Sequence, residues 1–191
     1  MMSAPVATGP GPWRAGPLWR SRTHTSPGST TRPCAPWSCT RWRTPYPGPD
    51  TYKRFWFRDA AFIVHALLDA GLTDRARRML APFPGRQHRT TGYFHSQDGE
   101  WDANGQALWI LSRYHEVTGE ELPEAWLQAL RRGARWIARK RTDAHGDAPH
   151  AGLLPAGFSA EHFGPNDYYY WDDYWSVAGL QAAAAGPARS W

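Results

Sequence analysis

The sequence predicts an all-α protein built of helical hairpins, and three observations carry that expectation. From Thr51 onward apolar residues recur at helical spacing, glycine or proline closes each periodic run, and the two-helix unit repeats. In "RDAAFIVHALLDAG" Phe62, Ile63, Ala66, Leu67 and Ala70 are expected to line the buried side, with Gly71 as the stop. "TDRARRMLAPF" reads as a shorter antiparallel partner, with Thr73 as N-cap and the Pro82 and Pro84 pair ending it.

The second hairpin begins at "DANGQALWILSRYHEVTG", where Leu108, Leu111 and Val117 are the buried candidates and Gly119 the stop. Pro123 opens "PEAWLQALRRGARWIARKR", with Trp126, Leu127, Leu130, Ala134, Ile137 and Ala138 on one side. Trp109, Trp126 and Trp136 are read as packing groups. After a loop over 142–166, longer than compact domains usually carry without a functional reason, "DDYWSVAGLQAAAAG" starts a fifth helix. Its partner is expected to be missing from this chain, so that residues 51–186 amount to about two and a half hairpins.

Residues 1–50 have a different composition. They hold ten prolines, one Leu, one Val and no Phe or Ile, too little apolar surface to offset chain entropy, so disorder is the direct physical reading. The Arg, Pro, Ser, Thr, Trp and Cys mixture equally resembles a GC-rich coding region translated in a shifted frame, and the ending "AAAAGPARSW", with residues 187–191 as its tail, is open to the same reading. A transit peptide is disfavoured by the Pro and Trp content.

The net charge of +5 does not point to nucleic acid. Six arginines against Asp50 in the first fifty residues account for all of it, and 51–191 is neutral with sixteen basic and sixteen acidic residues. "LRRGARWIARKR" is accordingly read as a solvated helix face rather than a membrane-surface element. Cys34 and Cys39 are the only cysteines, which leaves no disulfide framework and no four-ligand zinc site. His145, His150 and His162 share one loop but lack the helical spacing and convergent acids of a metal site, and no metal or cofactor is expected. No apolar run approaches a membrane span and no secretory signal is read, so a soluble, cytoplasmic placement with no membrane or nucleic-acid partner is the expectation.

Each odd-numbered helix opens with an aromatic and an acid. Asp59 follows Trp56 in "FWFRDAAF", Asp102 follows Trp101 in "EWDANG", and Asp172 and Asp173 follow Trp171 in "YYWDDYW". Taken singly, an Asp at a helix start caps free N–H groups and suits the macrodipole. Capping does not account for the recurrent tryptophan or for Arg58 beside Asp59. In a ring of antiparallel hairpins the odd helices run parallel and their starts share one face. Sugar sites need these residue types, because carboxylates and Arg form paired hydrogen bonds to hydroxyls while aromatic faces cover the C–H face of a pyranose.

"YKRFWFRDAAF", "GEWDANGQALWIL" and "GLLPAGFSAEHFGPNDYYYWDDYWSVAGL" resemble the six-hairpin glycosidases, the (α/α)6 toroids that include the glucoamylase-like glycoside hydrolases. The resemblance covers about residues 51–186, and W-x-R-D is its most specific element. It implies a partial (α/α)6 toroid and carbohydrate metabolism. It also implies that Arg58 and Asp59 hold the hydroxyls of a terminal sugar, and that an oligosaccharide is the partner. A catalytic acid is implied somewhere between Gly152 and Asp173. The paired glutamates of the glucoamylase pattern are absent there: Glu161 is one candidate donor, Asp172 and Asp173 are others, and Asp167 competes with them. A general acid needs a raised pKa, which burial or a neighbouring carboxylate supplies. Trp56, Trp101, Asp102, Tyr170 and Trp171 complete the expected substrate-binding set.

The resulting expectation is a fragment of a glycoside hydrolase using two-carboxylate acid/base chemistry, inactive as this chain because in the glucoamylase-like enzymes the base comes from near the end of the toroid. The alternative is a non-catalytic carbohydrate-binding or scaffold protein on the same toroid. A terpene-cyclase or prenyltransferase toroid is disfavoured, since its acid-rich motifs are not seen.

Overall fold

The computed structural model describes residues 44–48, 53–158 and 166–186. The chain divides into two units, Met1–Cys39 and Thr40–Trp191; the first lies outside the described residues, and the described helices all belong to the second. The expected disorder of 1–50 falls mostly outside the described residues too; within 44–48, Pro45 is buried and Tyr46 packs against the core.

The fold is all-α. Among the described residues five helices succeed one another: α1 Phe57–Asp69, α2 Thr73–Leu80, α3 Asp102–Thr118, α4 Glu124–Lys140 and α5 Tyr170–Ala185, with a short 3-10 turn at Pro84–Arg86. Among the described residues there is no strand, only two isolated antiparallel bridges, Gln87 with Phe94 and Gly157 with Asp167. Also among them, no helix is long and apolar enough to cross a membrane.

Helix α3 is the centre, packed against each of the other four. Helices α1 and α3 run parallel: Arg58 meets Asp102, the His65 ring lies 5.0 Å from Trp109, and Asp69 faces Arg113 at 3.9 Å. Helix α5 runs parallel to both, with Trp171 on Asp102, Trp175 beside Gly105, Gly186 beside His115, and the Phe62 and Trp175 rings 5.7 Å apart. Helix α4 is antiparallel to α3, since Trp126 lies against Tyr114, Gly133 against Leu108 and Trp136 against Trp101. The starts of α1, α3 and α5 therefore share one end of the helix layer.

The buried stripe of α1 differs from the one its periodicity suggests. Phe57, Ala60, Ala61, Val64 and Leu68 are buried, whereas Phe62, Ala66 and Ala70 are exposed and Ile63 and Leu67 half-buried. The reason is Phe57, which sits among Phe55, Phe83 and Phe94 at ring separations of 4.9, 5.0 and 5.1 Å and sets the rotation of the helix. Val117 and Ala138 are likewise exposed rather than buried. Thr73 is the first residue of α2, not its cap; Leu72 holds that place without a side-chain bond. The remaining core runs through Leu80, Leu108, Ile110, Leu111, Tyr114, Leu130 and Ile137.

Helix α5 packs through its small side. Asp172, Ser176, Gly179 and Ala183 are its buried residues, while Tyr170, Tyr174 and Val177 face outward. Gly105 and Gly179 make the close approach to α3 possible: a Cβ on Gly105 would strike the Trp175 carbonyl, and one on Gly179 the Gly105 backbone. Rigid backbone on both sides leaves no room to relax, so overpacking costs of about 1–3 kcal/mol apply. Gly105→Ala and Gly179→Ala are each expected to lower the urea midpoint by that order, while Gly85→Ala, whose Cβ meets nothing within 4 Å, leaves it unchanged.

Candidate functional site

The start of α1 is fixed from a distance. Its Phe57 N–H donates to the Ser96 hydroxyl at 2.9 Å, and Arg54 donates to the Ser96 carbonyl at 2.7 Å and to Gln97 Oε1 at 2.9 Å. Buried Asn104, in the first turn of α3, accepts from the Phe94 N–H and donates to the Gly92 and Gly133 carbonyls, tying the 92–96 segment to α3 and α4. Gln87 adds bonds from its amide to the Gly92 and Ala129 carbonyls. These side chains satisfy buried backbone groups that would otherwise each cost about 1–3 kcal/mol.

On that frame, four donors converge on one oxygen. Asp102 Oδ2 accepts from Arg58 Nε at 3.0 Å and Nη2 at 2.9 Å, from Trp171 Nε1 at 2.8 Å, and from Gln106 Nε2 at 3.0 Å. Asp102 is buried at the first position of α3, and its carboxylate joins α1 and α5 to its own helix. The Arg58 guanidinium also stands 5.4 Å from the centre of the Trp171 ring, close enough for cation–π attraction.

Asp172 completes the cluster from the first turn of α5. It is buried, and its carboxyl is pushed up to about 8, first by burial, then by the Asp102 and Asp173 carboxylates; Arg58 and the Asp102 backbone N–H oppose the shift. Asp173 points elsewhere. Its Oδ1 accepts from the Leu154 N–H at 3.0 Å, so it fixes the 142–158 loop to α5, and partial burial raises its carboxyl against that bond and Arg141. The loop is itself held at its base by Thr142, whose hydroxyl lies 2.8 Å from the His150 carbonyl and 3.0 Å from the Leu153 carbonyl.

The sequence-derived candidates thus separate into groups. Arg58, Asp102, Trp171 and Asp172 come together. Asp59 is half-buried on the first turn of α1. Trp101 joins a different cluster, tilted against Tyr93 and Trp136 with Lys140 Nζ 4.0 Å over its ring and its N–H toward the Ala156 carbonyl at 3.4 Å. Tyr93 packs against it with its hydroxyl 2.8 Å from the Gln97 and Glu100 carbonyls, and burial raises its phenol. Trp56 lies 5.2 Å from the Arg54 guanidinium, and Tyr170 is 62 % exposed, stacked on Tyr174. Glu161 and His162 lie outside the described residues. Among the described residues no group of three His, Cys, Asp or Glu is placed to hold a metal.

Sequence reasoning missed Gln106, Asn104, Ser96 and Gln87. The one available signal was "DANGQ", three polar residues packed into the opening of an otherwise apolar helix. The fold and cluster define an all-α protein with three parallel helices converging on a buried polar node. No family model, curated protein or solved structure matches the chain.

The raised Asp172 carboxyl has a direct consequence for stability. An unfolded Asp titrates near about 3.9, so between that pH and about 8 the folded state holds a proton that the unfolded state has lost. Its contribution is fully present below the unfolded value and is lost as pH rises through the folded one. Urea denaturation of the wild type is expected to show stability falling from pH 5 to pH 9 by more than about 1 kcal/mol relative to Asp172→Asn. Parallel pH profiles for the two proteins would contradict this assignment.

Proposed function

We propose that the face formed by Arg58, Trp171 and Asp172, together with Asp59 on the first turn of α1, binds a saccharide, and that it is the hydroxyl-binding, proton-donating part of a glycoside hydrolase site acting on an oligosaccharide. The observation that carries the reading is the meeting of Arg58, Trp171 and Asp172 at the shared helix starts, where burial and the Asp102 carboxylate raise the Asp172 carboxyl. In the proposed chemistry, Asp172 gives its proton to the leaving glycosidic oxygen while a second carboxylate activates water. Asp172 stands for the donor here; Glu161 competes for the role from the stretch outside the described residues. Trp171 keeps 43 % of its surface exposed although its N–H is bonded inward, which leaves indole surface for the C–H face of a pyranose.

One observation favours the non-catalytic reading of the same face. Asp172 is only 5 % exposed, so proton transfer requires that the start of α5 move or that substrate enter beside it. A binding protein needs no such access. The resemblance to the glucoamylase-like enzymes assigns the base to no described residue, so the expected behaviour of this chain is saccharide binding without product release.

Isothermal titration with maltotriose tests the binding. Wild type is expected to bind, and Asp59→Asn and Trp171→Ala each to weaken binding about tenfold, a loss of about 1.4 kcal/mol. Absence of any saccharide binding by folded wild type would overturn the reading. Release of sugar from an aryl glycoside above an Asp172→Asn control would show a complete site and sink the expectation of binding alone.

A further inference from the structure

We infer that Asp102 is a positioning residue that sets the orientation and charge environment of Asp172, and does not itself contact saccharide. The inference rests on the reading of Asp172 as the proton donor and goes beyond it by assigning a task to a residue first expected to bind substrate. Three features of the geometry carry it. Asp102 Oδ2 is already taken by Arg58, Gln106 and Trp171, four N–H groups from three helices, which leaves that oxygen no unfilled direction toward a sugar hydroxyl. The residue is 2 % exposed and meets Trp171 through the indole N–H. Its backbone N–H and its carboxylate both act on Asp172, the first orienting the carboxyl and the second opposing its ionisation.

The charged and titratable groups around Asp172 come from every side. Arg58 faces it from α1 and Asp102 from α3, Asp173 is its neighbour on α5, and Tyr169 and Tyr93 interact with it from the segments before α5 and α3. Arg58 is the one cation among these; it favours the ionised form, as the Asp102 backbone N–H also does, and it is bonded twice to Asp102. Asp102 thus adds a carboxylate beside Asp172 and at the same time draws the compensating cation onto itself. Both effects act in the same direction. Trp171 and Gln106 fix where that charge sits, and Trp171 ties its position to the helix that carries Asp172.

The test is a carbon-13 titration of the Asp172 carboxyl in the full chain, its signal assigned by its loss in Asp172→Asn. Wild type should show a midpoint near 8. In Asp102→Asn the midpoint should fall by about one unit or more, a tenfold rise in the acid constant, and Asp102→Glu should restore part of the shift. A midpoint unmoved in folded Asp102→Asn overturns the inference, since a merely structural pin would lower stability without changing this titration. Should Asp102→Asn not fold, Gln106→Met removes one donor from the Asp102 oxygen while leaving every charge in place. The Asp172 midpoint should then rise, and an unmoved one overturns the inference. Maltotriose titrations on the same samples separate the two failures. A midpoint that follows Asp102 in a protein binding no saccharide sinks the sugar reading alone, whereas saccharide binding with an unmoved midpoint sinks the positioning role alone.

Discussion

One carboxylate oxygen organises this structure. Asp102 Oδ2 is the point at which α1, α3 and α5 are joined by direct bonds, through Arg58, Gln106 and Trp171. A buried acid is costly unless paired and hydrogen-bonded, and breaking such a pair leaves an uncompensated group behind. That cost makes the node specific: α1 and α5 present Arg58 and Trp171 to Asp102 together only when both run parallel to α3 with their starts level. Slipping either helix by one residue would rotate the donor away by about 100°.

Backbone contact and the polar node reinforce one another. The glycines at 105 and 179 bring α5 against α3 with no side chain between them, and this approach carries Trp171 and Asp172 down to Asp102. On the other side, Gly133 faces Leu108 Cδ1, so α4 sits close enough for Asn104 to reach the Gly133 carbonyl. Helix α3 is consequently buried nearly all round and carries Asn104, Gln106 and Ser112 inside it. The polar residues at its opening are what couple it to its neighbours.

The outer side of α5 reverses the usual pattern. Its large aromatic and aliphatic residues, Tyr170, Tyr174 and Val177, are exposed, while its buried stripe is small or polar. The same helix therefore combines an interior chosen for close approach with an exterior of unusual aromatic content. In the proposed function only Trp171, at the boundary of the two sides, is used by both.

Much of this was legible in the residues. The amphipathic runs, the left-handed stop at Gly119 (φ 69°) and the prolines after α2 are local signals, because helix propensity and termination depend on a few neighbouring residues. So is the recurrence of an aromatic and an acid at each odd helix start, which singled out Arg58, Asp102, Trp171 and Asp172. What those groups meet was not legible. Trp101 and Trp171 occupy equivalent places beside their acids, yet one turns to Tyr93, Trp136 and Lys140 and the other to Asp102. The rotation of α1 was also misread, since Phe57 is placed by Phe55, Phe83 and Phe94 rather than by the periodicity of the residues after it. The sequence by itself determined which segments are helical and where the acids enter them. Only the tertiary structure decided which side of each helix turns inward and which carboxyl is pushed up, because both depend on side chains and charges brought together from separate segments of the chain.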